Sequence, residues 1–207
     1  MGNFIDLITA GFALASGGTG TLIVRHVLEK KKIRDSTIFQ KGMNSMNHVY
    51  DCLNEVVDKT GASRAMILYS QNGGGIPKGS SDLFVTVSHE IHRDSNSIRQ
   101  QVQRLPVDQE YIRMLSALLS SKDQCIYVSK DNLPDCLLKD LYNHDGIEQS
   151  LMYSLQTRKN KFIYCSFNFK TKEIIDPSKI RRCALEAAKI KQILIEDDKR
   201  IKSWWKK

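Results

Sequence analysis

Apolar positions between residues 43 and 60 return every three to four residues, at Met43, Met46, Val49 or Tyr50, Leu53 and Val56 or Val57, with Gly61 just beyond. That spacing predicts an amphipathic helix stopped by glycine. Residues 63–70, SRAMILYS, then read as a strand with a buried middle, and Asn72 with the three glycines after it supplies a turn. In LFVTVSHEIH, residues 83–92, the alternation of Leu83, Val85, Val87, His89 and Ile91 against Phe84, Thr86, Ser88, Glu90 and His92 predicts a second strand with one face on a core. A polar stretch over 95–106 closes at Leu105-Pro106. Asp108 is then placed to cap a helix carrying Tyr111, Ile112, Met114, Leu115, Leu118 and Leu119. CIYVS at 125–129 is a short strand, and Pro134 opens a helix through Leu137, Leu138 and Leu141 that Gly146 ends. Residues 147–156 and 161–169 form a hairpin about a polar turn at 157–160. From Asp176-Pro177 onward Ile180, Cys183, Ala187, Ile190, Leu194, Ile201 and Trp204 recur at helical spacing, which predicts a long last helix.

The sum is an α+β chain: an antiparallel-rich sheet of five or six strands with helices packed on it. Its element order resembles that of the GAF domain family over residues 43–195. The resemblance is carried by NEVVDKTGASRAMILYS, LFVTVSHEIH, CIYVSKDNLPDCLLKDLYNHDGI and SLMYSLQTRKNKFIYCSFNF running into IDPSKIRRCALEAAKI. PAS and roadblock-like folds share parts of this order. The resemblance implies a sensory or regulatory module, often dimeric through its terminal helices, of a family in which some members hold a small ligand between the sheet and the crossover helices. The NKFDE-type motif used by cyclic-nucleotide-binding members does not occur in the sequence.

Charge modifies this picture at the ends. The net charge is +8 over 207 residues. The excess sits in the first forty residues and after 178, with the stretch between neutral, which argues against a nucleic-acid enzyme with a charged central groove. Residues 7–24 carry no charge and are followed by Arg25, Lys30, Lys31, Lys32 and Arg34. Residues 1–24 therefore read as an apolar leader or a single membrane span. In the spanning case the basic run at 25–42, a connector, keeps the rest on the cytoplasmic side, anchored to the inner face. Asp6 and the lack of an early lysine or arginine fit poorly with a cleaved signal peptide. Beyond the GAF-like domain, residues 196–207 form a basic tail containing tryptophan. Lys199, Arg200, Lys202, Trp204, Trp205, Lys206 and Lys207 are its candidates for surface contact with a partner protein, an anionic membrane or, weakly, a nucleic acid, and residues 180–195 are expected to pair in a homodimer.

Candidate chemistry is sparse. Five scattered cysteines with no CxxC spacing indicate reduced thiols rather than a disulfide framework or zinc site. Cys125, Cys136 and Cys165 lie in or beside elements expected to line a cavity. Free methionine sulfoxide reductases are GAF proteins with cavity cysteines, so the likeness implies an alternative function as a thiol-dependent small-molecule reductase, although the glycine-rich surroundings of those cysteines are missing here. Buried, inert thiols are the plainer reading. Tyr127, Tyr142, His144, Tyr153 and Ser166 are the candidate ligand-binding side chains over the sheet. His89 and His92 of HEIH point to opposite sides of a strand and cannot share one metal ion. No cofactor is specified by any motif. The favoured reading is a non-enzymatic sensory, regulatory or scaffolding module acting through homo- or hetero-association. A structural or nucleic-acid-associated accessory protein is a further alternative.

Overall fold

The computed structural model describes residues 19–72, 82–93, 96–158 and 160–205. The segment at 7–18, which carries most of the expected leader, and Gly73 to Gly75 of the expected turn lie outside the described residues. Residues 1–46 and 47–207 form two compact units.

Helix α1, Thr19–Thr60, begins far before the expected start at residue 43 and takes in the basic stretch read as a connector. Residues 25–41 hold neither proline nor glycine, and six of the 17 are lysine or arginine, which lose little rotamer freedom in a helix. Arg25 and Glu29 form an i,i+4 ion pair at 3.2 Å. No described helix is long and apolar enough to cross a membrane.

In the second unit six strands run in the order β3-β2-β1-β6-β5-β4, every neighbouring pair antiparallel. They are β1 (Arg64–Gln71), β2 (Phe84–His92), β3 (Leu105–Pro106), β4 (Cys125–Ser129), β5 (Gln149–Arg158) and β6 (Lys161–Phe169). The short edge strand β3 grows out of the polar stretch that the sequence left irregular. Between the strands lie α2 (Gln109–Ser120) and α3 (Leu137–Asp145), and α4 (Pro177–Trp205) follows the hairpin. Pro134 does not open α3: a 3₁₀ turn at Lys130–Asn132 precedes it, and the helix starts three residues past the proline. Gly146, in the left-handed conformation at φ 66°, closes α3 with its N–H on the Tyr142 carbonyl.

Because side chains alternate along a strand, the sheet carries two cores. Ala65, Ile67, Leu151, Tyr153, Leu155, Cys165 and Phe167 face Val49, Leu53, Val56 and Val57 of α1 and Cys183, Ala187 and Ile190 of α4. Met66, Leu68, Val85, Val87, Met152, Phe162 and Tyr164 face Tyr111, Leu115 and Leu118 of α2 and Leu138 and Tyr142 of α3. Strand β2 changes sides. A bulge at Ser88 shifts the register, so that Ile67 pairs with His89 while Leu68 pairs with Val87. Val85 and Val87 therefore serve the α2/α3 core, whereas His89 packs at a tilt on Tyr50 of α1, 5.1 Å between ring centroids, with Ile91 beside it. The expected single inward face of β2 is thus split between both cores.

Candidate functional site

Three tyrosines gather between the sheet and the α2/α3 layer. Tyr111 arrives from α2, Tyr142 from α3 and Tyr164 from β6, all buried. The Tyr111 and Tyr164 hydroxyls bond each other at 2.7 Å. Tyr142 donates to Ser150 Oγ at 2.6 Å, and Ser150 and Ser166 each donate to Asn168 Oδ1 at 2.8 Å. Burial pushes the Tyr111 hydroxyl up to about 12 and moves those of Tyr142 and Tyr164 well above the ordinary phenol range. At neutral pH these groups are hydrogen-bond donors and acceptors, not bases or nucleophiles. The space they enclose with Met66, Leu68 and Ile98 is about 30 Å³. That is room for water, against the several hundred Å³ typical of small-molecule pockets.

At one border of this space sits Arg64, with no exposed surface, its Nε 2.9 Å from Glu90 and one Nη on Asp145. The other Nη donates to the Asn96 carbonyl at 2.6 Å. Glu90 also accepts from Ser97 Oγ at 2.5 Å and the Ile98 N–H at 3.1 Å, so one guanidinium and one carboxylate knit β1, β2, α3 and the loop after β2 together.

Beyond the Phe162 end of the same face a second, more open space of about 320 Å³ lies between α2 and the strand ends. Leu83, Ile112, Leu115, Leu119 and Phe162 wall it, with Ser70 and Thr157 among its polar residues. The β5–β6 hairpin edges this cleft with Thr157 and Arg158. Arg158 also reaches α4, bonding Asp198 at 2.5 Å, where Gln156 Nε2 donates to the same carboxylate at 2.5 Å.

Of the five candidate ligand-binding residues, only Tyr142 and Ser166 meet, in the tyrosine-lined space. His144 is exposed, its Nδ1 3.2 Å from Asp145. Tyr153 lies on the opposite face in the α1/α4 core. Tyr127 is 55 % exposed on β4, donating to Gln149 Oε1 at 2.6 Å. The thiols also divide. Cys125 and Cys165 flank Tyr153 on the strands either side of it, across from Cys183 of α4, while Cys136 packs on the α2/α3 core. Burial pushes Cys183 up to about 12, Cys165 well above the usual thiol value, and Cys125 upward. Such thiols carry little thiolate at neutral pH. Among the described residues no group of three or more His, Cys, Asp or Glu gathers to hold a metal ion. Lys199 is exposed on α4. Arg200, Lys202, Trp204 and Trp205 continue that helix, and Lys206 and Lys207 lie outside the described residues.

Arg64, Tyr111, Tyr164, Asn168 and Ser70 escaped the sequence reading. Strand parity held the signal for three of them: Arg64, Ser70 and Asn168 are polar residues in phase with Met66, Leu68 and Tyr164 on a buried face.

The architecture has solved counterparts. The photoproduct state of GAF3 from Slr1393 of Synechocystis sp. PCC6803 superimposes with a TM-score of 0.54 at 12% identity, covering 79% of this chain and 99% of that one. The chain has the GAF fold. The GAF domain/HD domain protein from Geobacter sulfurreducens gives 0.54 at 8% identity over 74% of this chain and 94% of its own. The phycoerythrobilin-bound GAF domain from a cyanobacterial phytochrome gives 0.51 at 12% identity over 80% and 94%. No protein-family model and no curated protein matches the sequence. The likeness is one of GAF architecture: six antiparallel strands, terminal helices on one face, and α2 and α3 on the other.

Proposed function

We propose that this chain is a non-enzymatic sensory or regulatory module in which a small ligand on the α2 side of the GAF sheet alters the packing of α4, and so its association with a second copy or another protein. The observation that carries this reading is the hairpin at the Thr157 end of β5. Thr157 and Arg158 edge the 320 Å³ cleft on one face, and Gln156 and Arg158 hold Asp198 of α4 on the other. A ligand that displaced the hairpin would act on the α4 contact across a single sheet layer, provided it bound the two arrangements with different affinity.

A bilin occupies the phytochrome GAF domain, but the enclosed space beneath α3 here, about 30 Å³, suits nothing of that size. The ligand class that fits is smaller and sits in the outer cleft. The raised thiols give the reductase alternative no support.

The test is a thermal-shift screen of small molecules on the full chain, followed by hydrogen exchange of each stabilising compound's complex. Exchange in residues 192–199 should change together with that of the hairpin. Stabilising compounds that leave α4 at its ligand-free exchange rate would remove the sensory reading.

A further inference from the structure

The floor of the outer cleft holds a polar group without an ordinary partner. Ser70, on β1 between Val85 of β2 and Phe162 of β6, is 3 % exposed, and its Oγ makes no hydrogen bond. The Tyr164 hydroxyl is close enough to feel the Ser70 hydroxyl, but no bond of ordinary geometry joins them, and Tyr164 is already closed with Tyr111 at 2.7 Å. A buried hydroxyl left unbonded costs free energy, so native proteins seldom keep one without a use. Around it the cleft is apolar: Phe162 from the sheet, Leu83 from the start of β2, and Ile112, Leu115 and Leu119 from successive turns of α2. Ile112 and Leu119 are exposed, at 42 % and 50 %. An exposed helix ridge beside an apolar hollow is an arrangement that a monomeric surface usually covers.

The cations at the rim do not alter its character. Strand pairing sets Arg158 opposite Lys161, away from the Thr157–Phe162 pair that faces the cleft. Their heads are engaged elsewhere: Arg158 on Asp198, and the Lys161 ammonium 4.6 Å above the Tyr69 ring. Among the described residues that line it there is no carboxylate.

We infer that this cleft binds a neutral, largely apolar molecule of about ten non-hydrogen atoms, taking ~30 Å³ for each, whose single hydroxyl or carbonyl bonds Ser70. The inference rests on the sensory reading above and supplies its ligand class.

2-Naphthol is a suitable probe and naphthalene its comparator without the hydroxyl, both titrated into the full chain by fluorescence at neutral pH. The expected result is one 2-naphthol per chain, bound about tenfold more tightly than naphthalene, the increment of one buried hydrogen bond. In Ser70→Ala that ratio should fall to about one while naphthalene binding is kept. This variant removes an unbonded hydroxyl and is expected to fold. Ile112→Trp and Leu119→Trp, at exposed positions, should fill the cleft and abolish binding of both probes. Absence of binding, binding that both tryptophan variants leave intact, or an undiminished preference for 2-naphthol in Ser70→Ala overturns the inference. Failure here is separable from failure of the sensory reading, which stands or falls on whether any stabilising ligand changes exchange in α4.

Discussion

Arg64 shows how one side chain can hold a domain together and at what risk. It lies wholly buried between two carboxylates, and removing it leaves Glu90 and Asp145 without their shared cation. Arg64→Met should therefore lower stability by about 3–5 kcal/mol, read from urea unfolding, because uncompensated buried charge is costlier than the pair is beneficial. A loss within the error of the measurement would mean that water reaches the carboxylates. The buried tyrosines make a second residue-level prediction. Tyr111, Tyr142, Tyr153 and Tyr164 are all raised above the ordinary value of 10 by burial. A group whose folded value is raised contributes stability in full below its unfolded value and loses it as pH climbs through the folded one. Ultraviolet titration should accordingly find these four tyrosines un-ionised at about pH 11, then ionising together as the domain unfolds. Independent ionisation of the four near about pH 10 would contradict it. The sequence marked Tyr142 and Tyr153 but not the other two, since burial of a tyrosine depends on which helix covers it, and spacing along the chain does not report that.

At the scale of elements, Asp108 has more to do than its sequence position suggested. It caps α2 through the Tyr111 N–H at 2.8 Å, as expected, and its second oxygen accepts from the Leu137 N–H at the start of α3 at 2.6 Å. Each capping contact is typically worth about 1 kcal/mol. Asp108→Ala should lose about 2 kcal/mol, the sum of the two, and Asp108→Asn about half of that, because the amide keeps one acceptor oxygen and turns a donor toward the other N–H, with chemical denaturation as the readout. Equal losses in the two variants would show that a single oxygen holds neither helix start. The same contact explains why α3 was misplaced in the sequence: its start is fixed by a carboxylate 29 residues upstream rather than by Pro134. Strands were far more legible. β4 and β6 fall where their apolar runs and turn residues put them, because both requirements are local. α1 was cut short because lysine and arginine signal solvent exposure, not the absence of helix.

For the molecule as a whole, GAF architecture was readable from element order alone, and the ligand site was not. A cleft is made by residues from β1, α2 and the hairpin, and no periodicity joins Ser70 to Leu119. The thiol distribution is a further property of the assembled fold. Cys52, pushed up to about 11 by burial and by Glu186, is sequestered between α1 and α4, and Cys165 and Cys183 share that core. A disulfide-exchange reagent at neutral pH should leave these three unmodified in the native protein and label them at the rate of global unfolding. Rapid native labelling of Cys165 would reopen the reductase reading.

The out-of-step Ser88 has an evolutionary corollary. Glu90 stands beside Arg64, and Ile91 beside Tyr50, because each follows its partner on β1, and Ser88 alone in this stretch of β2 has no such partner. Ser88→Ala should be tolerated. Deleting Ser88 would close the bulge and make Leu68–Val87 and Ile67–His89 consecutive pairs of a regular ladder, so every side chain from His89 onward should keep its face. Lineages carrying this domain are therefore expected to vary or lose the residue at this point alike, since the facing of β2 is inherited from its neighbour and not from a residue count.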